Sequence, residues 1–207
     1  MKTTRIASSN IFVSHKTSGR AIPVRSPSRR DFLVQSTLDP HVRRIEYHPA
    51  MRVDDSIIPV DAILIDSDEG RHAIDFSDAR PAFDPIGENL LHLAFSEGCN
   101  GVMYVTNADI RREPLFSASR EVWRHHPVRV HTRDREQILC ALQSEGPMTV
   151  RSLDGLVHTS RDLEQVIYSL ACSGDVELDL RDPLGDRSIV RVGMRSFSNT
   201  DRLVYGT

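Results

Sequence analysis

The chain is poor in lysine, in cysteine and in long apolar runs, and each shortage excludes something. Its 207 residues hold only two lysines, Lys2 and Lys16, both near the N-terminus. A chemistry that needs a lysine deeper in the chain would therefore need another residue in its place. The three cysteines, Cys99, Cys140 and Cys172, are odd in number and far apart, and none forms a Cys-x-x-Cys pair. That speaks against a disulfide framework and a zinc site, and for buried thiols instead. No apolar stretch reaches bilayer length, and the first residues, Met1-Lys2-Thr3-Thr4-Arg5-Ile6, lack the apolar segment of a secretory signal, so a cytoplasmic protein without membrane partners is expected. Gly-x-Ser-x-Gly and Gly-rich phosphate loops are missing, which leaves no serine-hydrolase or nucleotide-loop signature.

What is present describes a globular chain. Hydrophobic residues make up 39% and charged residues 27%, enough to bury a core in one medium domain or two small ones. The formal net charge is −3, but the charge is uneven. Lys2, Arg5, Lys16, Arg20, Arg25, Arg29 and Arg30 precede the first acid, Asp31, and a second basic stretch runs from Arg111 to Arg135. Acids gather at Asp54–Glu69 and Asp175–Asp186. A basic segment of this kind is either a solvated tail or a phosphate-contacting surface.

Punctuation and periodicity divide the chain. Residues 1–25 are polar and basic and read as a flexible arm, with one short apolar run at Ile11-Phe12-Val13. Ser26-Pro27 is a helix start, with serine as N-cap and proline at the first helical position, and Asp39-Pro40 is its stop. Val42–His48 alternates as a half-buried strand up to Pro49, and a weaker strand is expected around Met51–Ile57. Ile58–Ile65 and Arg71–Phe76 form two apolar strands joined by the acidic turn Asp66–Gly70. A helix over Ile86–Phe95 and a continuous apolar run at Gly101–Thr106, the pattern of a buried strand, complete a mixed sheet flanked by helices. Leu115–Val130, with the single tryptophan Trp123, reads as a connecting helix out of this first domain.

From Thr132 onward the pattern changes to three short amphipathic helices. They fall around Ile138–Leu142, Val150–Val157 and Leu163–Leu170, the last behind the capping sequence Thr159–Asp162. Two alternating strands, Val176–Leu180 and Ser188–Val192, follow around Asp182–Asp186. Three helices and then a hairpin are the plan of a winged helix. Such domains read DNA with the third helix or dock proteins, and the acids of this third helix and wing favour protein docking.

Several local patterns together resemble the TnsA-type transposase endonucleases, which nick transposon ends in heteromeric transposition systems. They are Ser26–Leu33, Leu38–Val42, His48-Pro49, Pro59-Val60-Asp61, Ile74–Ser77, Tyr104–Thr106 and Ala118–Arg124. The resemblance covers roughly residues 20–130. It implies an α/β fold with a restriction-endonuclease-like mixed sheet over 26–130, then a small winged-helix domain over 131–195 and a tail over 196–207. It also implies DNA as substrate, Mg²⁺ as cofactor where the protein is active, and the transposase and regulatory ATPase subunits of a transposition complex as partners.

In that family a helix glutamate, a strand aspartate and a Glu-x-Lys motif build the metal site. Here the helix position is Arg29, the strand aspartate is Asp61, the glutamate becomes Asp75 and the lysine becomes Ser77. Asp61 and Asp75 are thus the candidate catalytic and metal-ligating residues, expected on adjacent strands with their carboxylates on one side. Arg29 and Ser77 invert one ligand and remove the catalytic cation, and arginine is a poor proton acceptor in lysine's stead. Arg25, Arg30, Arg120 and Arg124 are the candidate DNA-binding residues. Two functions stay open: an endonuclease subunit with reduced or lost cleavage, or a non-catalytic scaffold or regulator. Carboxylates converging on an open cleft would favour the first, and Arg29 folded across them the second.

Overall fold

A computed structural model describes residues 11–53, 55–76 and 85–195. They form two compact units that divide at Arg111–Arg112. No helix among the described residues is long and apolar enough to cross a membrane.

The N-terminal unit opens with a ribbon of β1 (Ile11–Phe12) against β2 (Ile22–Pro23). Phe12, Thr17 and Ile22 are buried, so from residue 11 onward the expected flexible arm is folded structure held by apolar side chains. Helix α1 (Pro27–Leu38) begins where the Ser26–Pro27 signal puts it, with the Ser26 hydroxyl accepting from the Arg29 amide at 3.2 Å. Strands β3 (Val42–Val53), β4 (Ser56–Ser67) and β5 (Gly70–Phe76) follow as an antiparallel meander. Helix α2 (Pro85–Ser96) then returns the chain to β6 (Gly101–Val105), which lies parallel to β5. The sheet order is β3-β4-β5-β6.

Helices cover both faces of this sheet. Ala62, Leu64 and Ala73 pack with Leu90, Leu93 and Ala94 of α2. Directly paired residues share a face and neighbours along a strand alternate, so Tyr47, Ile63, Ile74 and Phe76 point the other way. On that second face Phe76 meets Phe32 of α1, with ring centroids 5.3 Å apart.

Two expectations for the sheet change. Pro49 does not end a strand. It sits inside a twelve-residue β3, where Pro49 alone stands opposite both Val60 and Asp61 of β4. Proline has no amide to give the ladder, and the resulting bulge lets the hairpin continue past it. β6 is an edge strand and not a buried central one: Met103 and Tyr104 are exposed, because parallel pairing to β5 leaves its other side without a strand among the described residues.

The C-terminal unit holds α4 (Leu115–Trp123), α5 (Thr132–Glu145), β7 (Met148–Thr149), α6 (Val150–Asp154), α7 (Leu163–Ser173), β8 (Val176–Leu178) and β9 (Ile189–Val192). The short helix α3 (Asn107–Ile110) belongs to the first unit. The expected domain boundary at 130 and 131 thus falls earlier, because α4 packs on α7. The two-residue β7 is an addition to the expected hairpin: it pairs with β9, giving the order β7-β9-β8. α7 starts three residues later than the Thr159 signal, at the N-cap Asp162, whose carboxylate accepts from the Gln165 amide. Ile138, Leu153, Val166, Ile167 and Val190 are fully buried and form the centre of this unit. Gly193 passes so close to the Gly174 carbonyl that a Cβ there would lie 2.3 Å from its oxygen, which demands glycine at the end of β9.

Candidate functional site

Asp61 sits on the β4 bulge with φ 46°, in the left-handed region. Aspartate tolerates that region better than most residues, and strain of this kind often sits at functional positions. The Asp61 carboxylate faces α1. There Arg29 donates through Nη1 to Asp61 Oδ2 at 2.8 Å and through Nη2 to the Asp61 main-chain carbonyl at 3.2 Å. Arg25 Nε lies 3.1 Å from Asp61 Oδ2, and the Tyr47 hydroxyl donates to Asp61 Oδ1 at 2.7 Å. Both carboxylate oxygens are therefore engaged.

Arg29 is itself buried. Its guanidinium lies over the rings of Tyr47 and Phe76, 5.7 and 6.0 Å from their centroids. A weakly hydrated guanidinium tolerates such an apolar cage better than an ammonium would. Its Nε is buried without an acceptor among the described residues, so the side chain is held by the Asp61 fork and by aromatic packing. Burial, helped by the bond to Asp61, raises the Tyr47 phenol above its ordinary pKa, so it stays a donor throughout the physiological range.

Asp75 is buried on the opposite side of the sheet. It precedes Phe76 on β5, pairs with Tyr104 of β6, and lies two residues beyond Ala73, which packs toward α2. Alternation thus sends Asp75 to the α2 face, while Asp61 turns to the α1 face with Tyr47 and Phe76. The two candidate carboxylates are on adjacent strands but do not converge, which corrects the expected one-sided pair. The physical reason is strand alternation: Asp61 lies between Val60 and Ala62, which both pack toward α2, so it takes the other face, whereas Asp75 lies two residues from Ala73 on the α2 face. Ser77 lies outside the described residues. Arg25 and Arg30 are exposed in the N-terminal unit, while Arg120 and Arg124 are exposed in the C-terminal unit.

The Mg²⁺ that the resemblance implies does not fit these residues. A hard divalent cation needs free oxygen ligands, whereas the Asp61 oxygens already serve two guanidinium groups and a phenol, and Asp75 faces away. Among the described residues no group of three or more His, Cys, Asp or Glu side chains is placed to hold a metal ion.

A second ionic cluster lies on the α2 face, and sequence reading missed it. Arg71 bridges Glu46 at 2.5 Å and approaches Asp66 and Glu97 at 3.5 Å each. His48 stands 3.7 Å from both Glu46 and Glu97. Here too a guanidinium occupies the centre of a carboxylate group. Strand alternation over Arg44, Glu46 and His48, paired opposite Asp66, Leu64 and Ala62, was the signal that could have assembled it. Tyr47 was missed in the same way: its register opposite Ile63 puts it on the α1 face.

No protein-family model matches the chain, and no curated protein matches it.

Proposed function

We propose that this chain is a non-catalytic, nuclease-derived scaffold of a DNA transposition or related DNA-processing complex, of the kind its resemblance to the TnsA-type endonucleases suggests. The observation that carries this reading is Arg29. It stands at the position where that family has a helix glutamate, and its guanidinium grips both the carboxylate and the main-chain oxygen of Asp61. A fixed monovalent cation built from the chain neutralises the one strand carboxylate that faces α1. Such a site has no ligands left to recruit a metal that would polarise a phosphate or activate water.

The succession α1, β3, β4, β5, α2, β6, with β6 parallel to β5, supports a restriction-endonuclease-like core. The succession α5, β7, α6, α7, β8, β9, with β9 central in its small sheet, supports a winged-helix reading of the second unit. In this reading the N-terminal unit supplies shape and the C-terminal unit docks protein subunits, the transposase and regulatory ATPase being the partners implied. The surviving alternative, a metal-dependent endonuclease, rests on Asp61 and Asp75 alone.

A nicking assay tests the proposal. The full chain is incubated with supercoiled plasmid and Mg²⁺ or Mn²⁺, beside Asp61→Ala. Equal, background conversion to open circles is expected from both proteins. Nicking by the wild type that Asp61→Ala abolishes would overturn the scaffold reading.

A further inference from the structure

Helix α7 of the C-terminal unit is buried on two faces. Leu163, Val166, Ile167 and Leu170 enter the core of the unit. Tyr168, Ser169 and Cys172 are buried as well, although a helix on a small domain usually leaves its far side to solvent. α4 and the chain that follows it make this cover. Cys172 Sγ donates to the Val122 carbonyl at 3.4 Å, and Ser169 Oγ donates to the Val128 carbonyl at 2.7 Å. The rings of His125 and Tyr168 meet edge-on at 5.4 Å. Burial pushes the Cys172 thiol up to about 12, and burial, with Glu164 next, does the same for the Tyr168 phenol. A DNA-reading winged helix needs the outer face of its third helix bare to enter the major groove. Here α7 is covered from Val166 to Cys172, and Glu164 and Gln165 near its start keep exposure.

The covering helix has the opposite character. Arg120 is exposed on α4 and Arg124 at its C-cap, Arg129 is exposed on the connection to α5, and Arg133 is exposed in the first turn of α5. Three acids of this stretch have partners, while Glu136 of α5 is exposed. Glu121 is held by Arg124, Glu113 accepts from the Ser117 hydroxyl at 2.7 Å, and Asp134 is buried, accepting from the Ser160 amide at 3.2 Å. Arg120 rests on the Phe116 ring at 5.3 Å, which holds it at the surface without an acidic partner in that contact. Four exposed arginines within fourteen residues, on a chain of net charge −3, give this segment a local positive character complementary to a polyanion.

We propose that α4 and its connection to α5 form a nucleic-acid-facing surface that binds the phosphate backbone of duplex DNA. This surface lies on the segment that covers Tyr168, Ser169 and Cys172 of α7. Arginine contacts to phosphates carry no base information, so the binding is indifferent to sequence and falls as salt rises. The inference goes beyond the scaffold reading, uses only the geometry of the C-terminal unit, and stands whether or not the N-terminal unit cleaves DNA.

The test titrates the full chain into a labelled duplex at low and moderate salt and follows anisotropy. Two variants are compared with the wild type: the triple Arg120→Ser, Arg129→Ser, Arg133→Ser, and the α7-end double Arg161→Ser, Gln165→Ala. All five positions are exposed, and melting curves check that each variant folds. The triple variant is expected to bind at least about tenfold more weakly at low salt and to flatten the slope of log affinity against log salt by about 2 to 3. The double variant is expected to bind as the wild type does. Should the triple variant unfold, the single reversal Arg129→Glu is read in its place, with a loss in the same direction expected. Absence of duplex binding by the wild type, a triple or reversed variant that binds like the wild type, or a larger loss in the α7-end variant would each overturn the proposal.

Discussion

Arg29 holds Asp61 by a fork, with one nitrogen on the carboxylate and another on the main chain, and the cost of losing it follows from that geometry. Charge-assisted hydrogen bonds contribute about 1.5 to 3 kcal/mol when a buried partner would be stranded. Asp61 is partly exposed and retains Arg25 and Tyr47, so the lower half of that range applies. Arg29→Ala should lower the unfolding free energy by about 2 kcal/mol in a denaturant titration. Arg29→Lys should recover little of it, because an ammonium cannot reach both oxygens in one plane.

Asp175 gives the residue scale its pH dependence. Burial alone would raise its carboxyl, but the Arg135 guanidinium at 2.7 Å and the Ser173 hydroxyl outweigh burial and hold it below the ordinary carboxylate range. A folded pKa below the unfolded one contributes stability that is complete above the unfolded value, near about 3.9. That stability is lost as pH falls through the folded value. Asp175→Asn should therefore cost about 1 to 3 kcal/mol at neutral pH. The gap to the wild type should narrow as pH falls below the carboxylate range. A gap that stayed constant into acid would mean that the lowered carboxyl does not supply the difference.

At the scale of elements, what local chemistry dictates was legible and what pairing dictates was not. Ser26–Pro27 and the stop at Asp39 fixed α1 within a residue, and the Asp66–Gly70 turn marked the β4–β5 hairpin, because caps and turns are written in adjacent residues. The bulge opposite Pro49 depends on how β3 and β4 slide together, and which face Asp61 and Asp75 each occupy depends on which of their neighbours pack toward α2. Asp61 and Asp75 were thus found as residues but misplaced as a pair. β6 reads as a buried run by composition, yet it is an edge, since composition does not say which strand ends a sheet. At the C-terminal sheet, Gly193→Ala would force a Cβ against main-chain atoms of Gly174 and Asp175, which have no side-chain rotamer to escape into. A loss of about 1 to 3 kcal/mol in thermal or denaturant unfolding is expected, the usual cost of overpacking.

At the scale of the whole molecule, the chain is two units with separate cores and different relations to charge. The second core centres on α7, and the fully buried Ile167 should cost about 2 to 5 kcal/mol when cut to alanine. In the N-terminal unit Asp61 closes on Arg29 and the Glu46 group on Arg71, so guanidinium groups neutralise these two carboxylate groups from within. That internal neutralisation is the central claim. Calorimetric titration of the full chain with Mn²⁺ tests it most directly, beside Asp61→Ala and Asp75→Ala. With Asp61 engaged by Arg29 and Asp75 on the other face, all three proteins should give only heats of dilution. A stoichiometric isotherm in the wild type that disappears in both variants would contradict the account, because it would require the two carboxylates to meet on one metal ion.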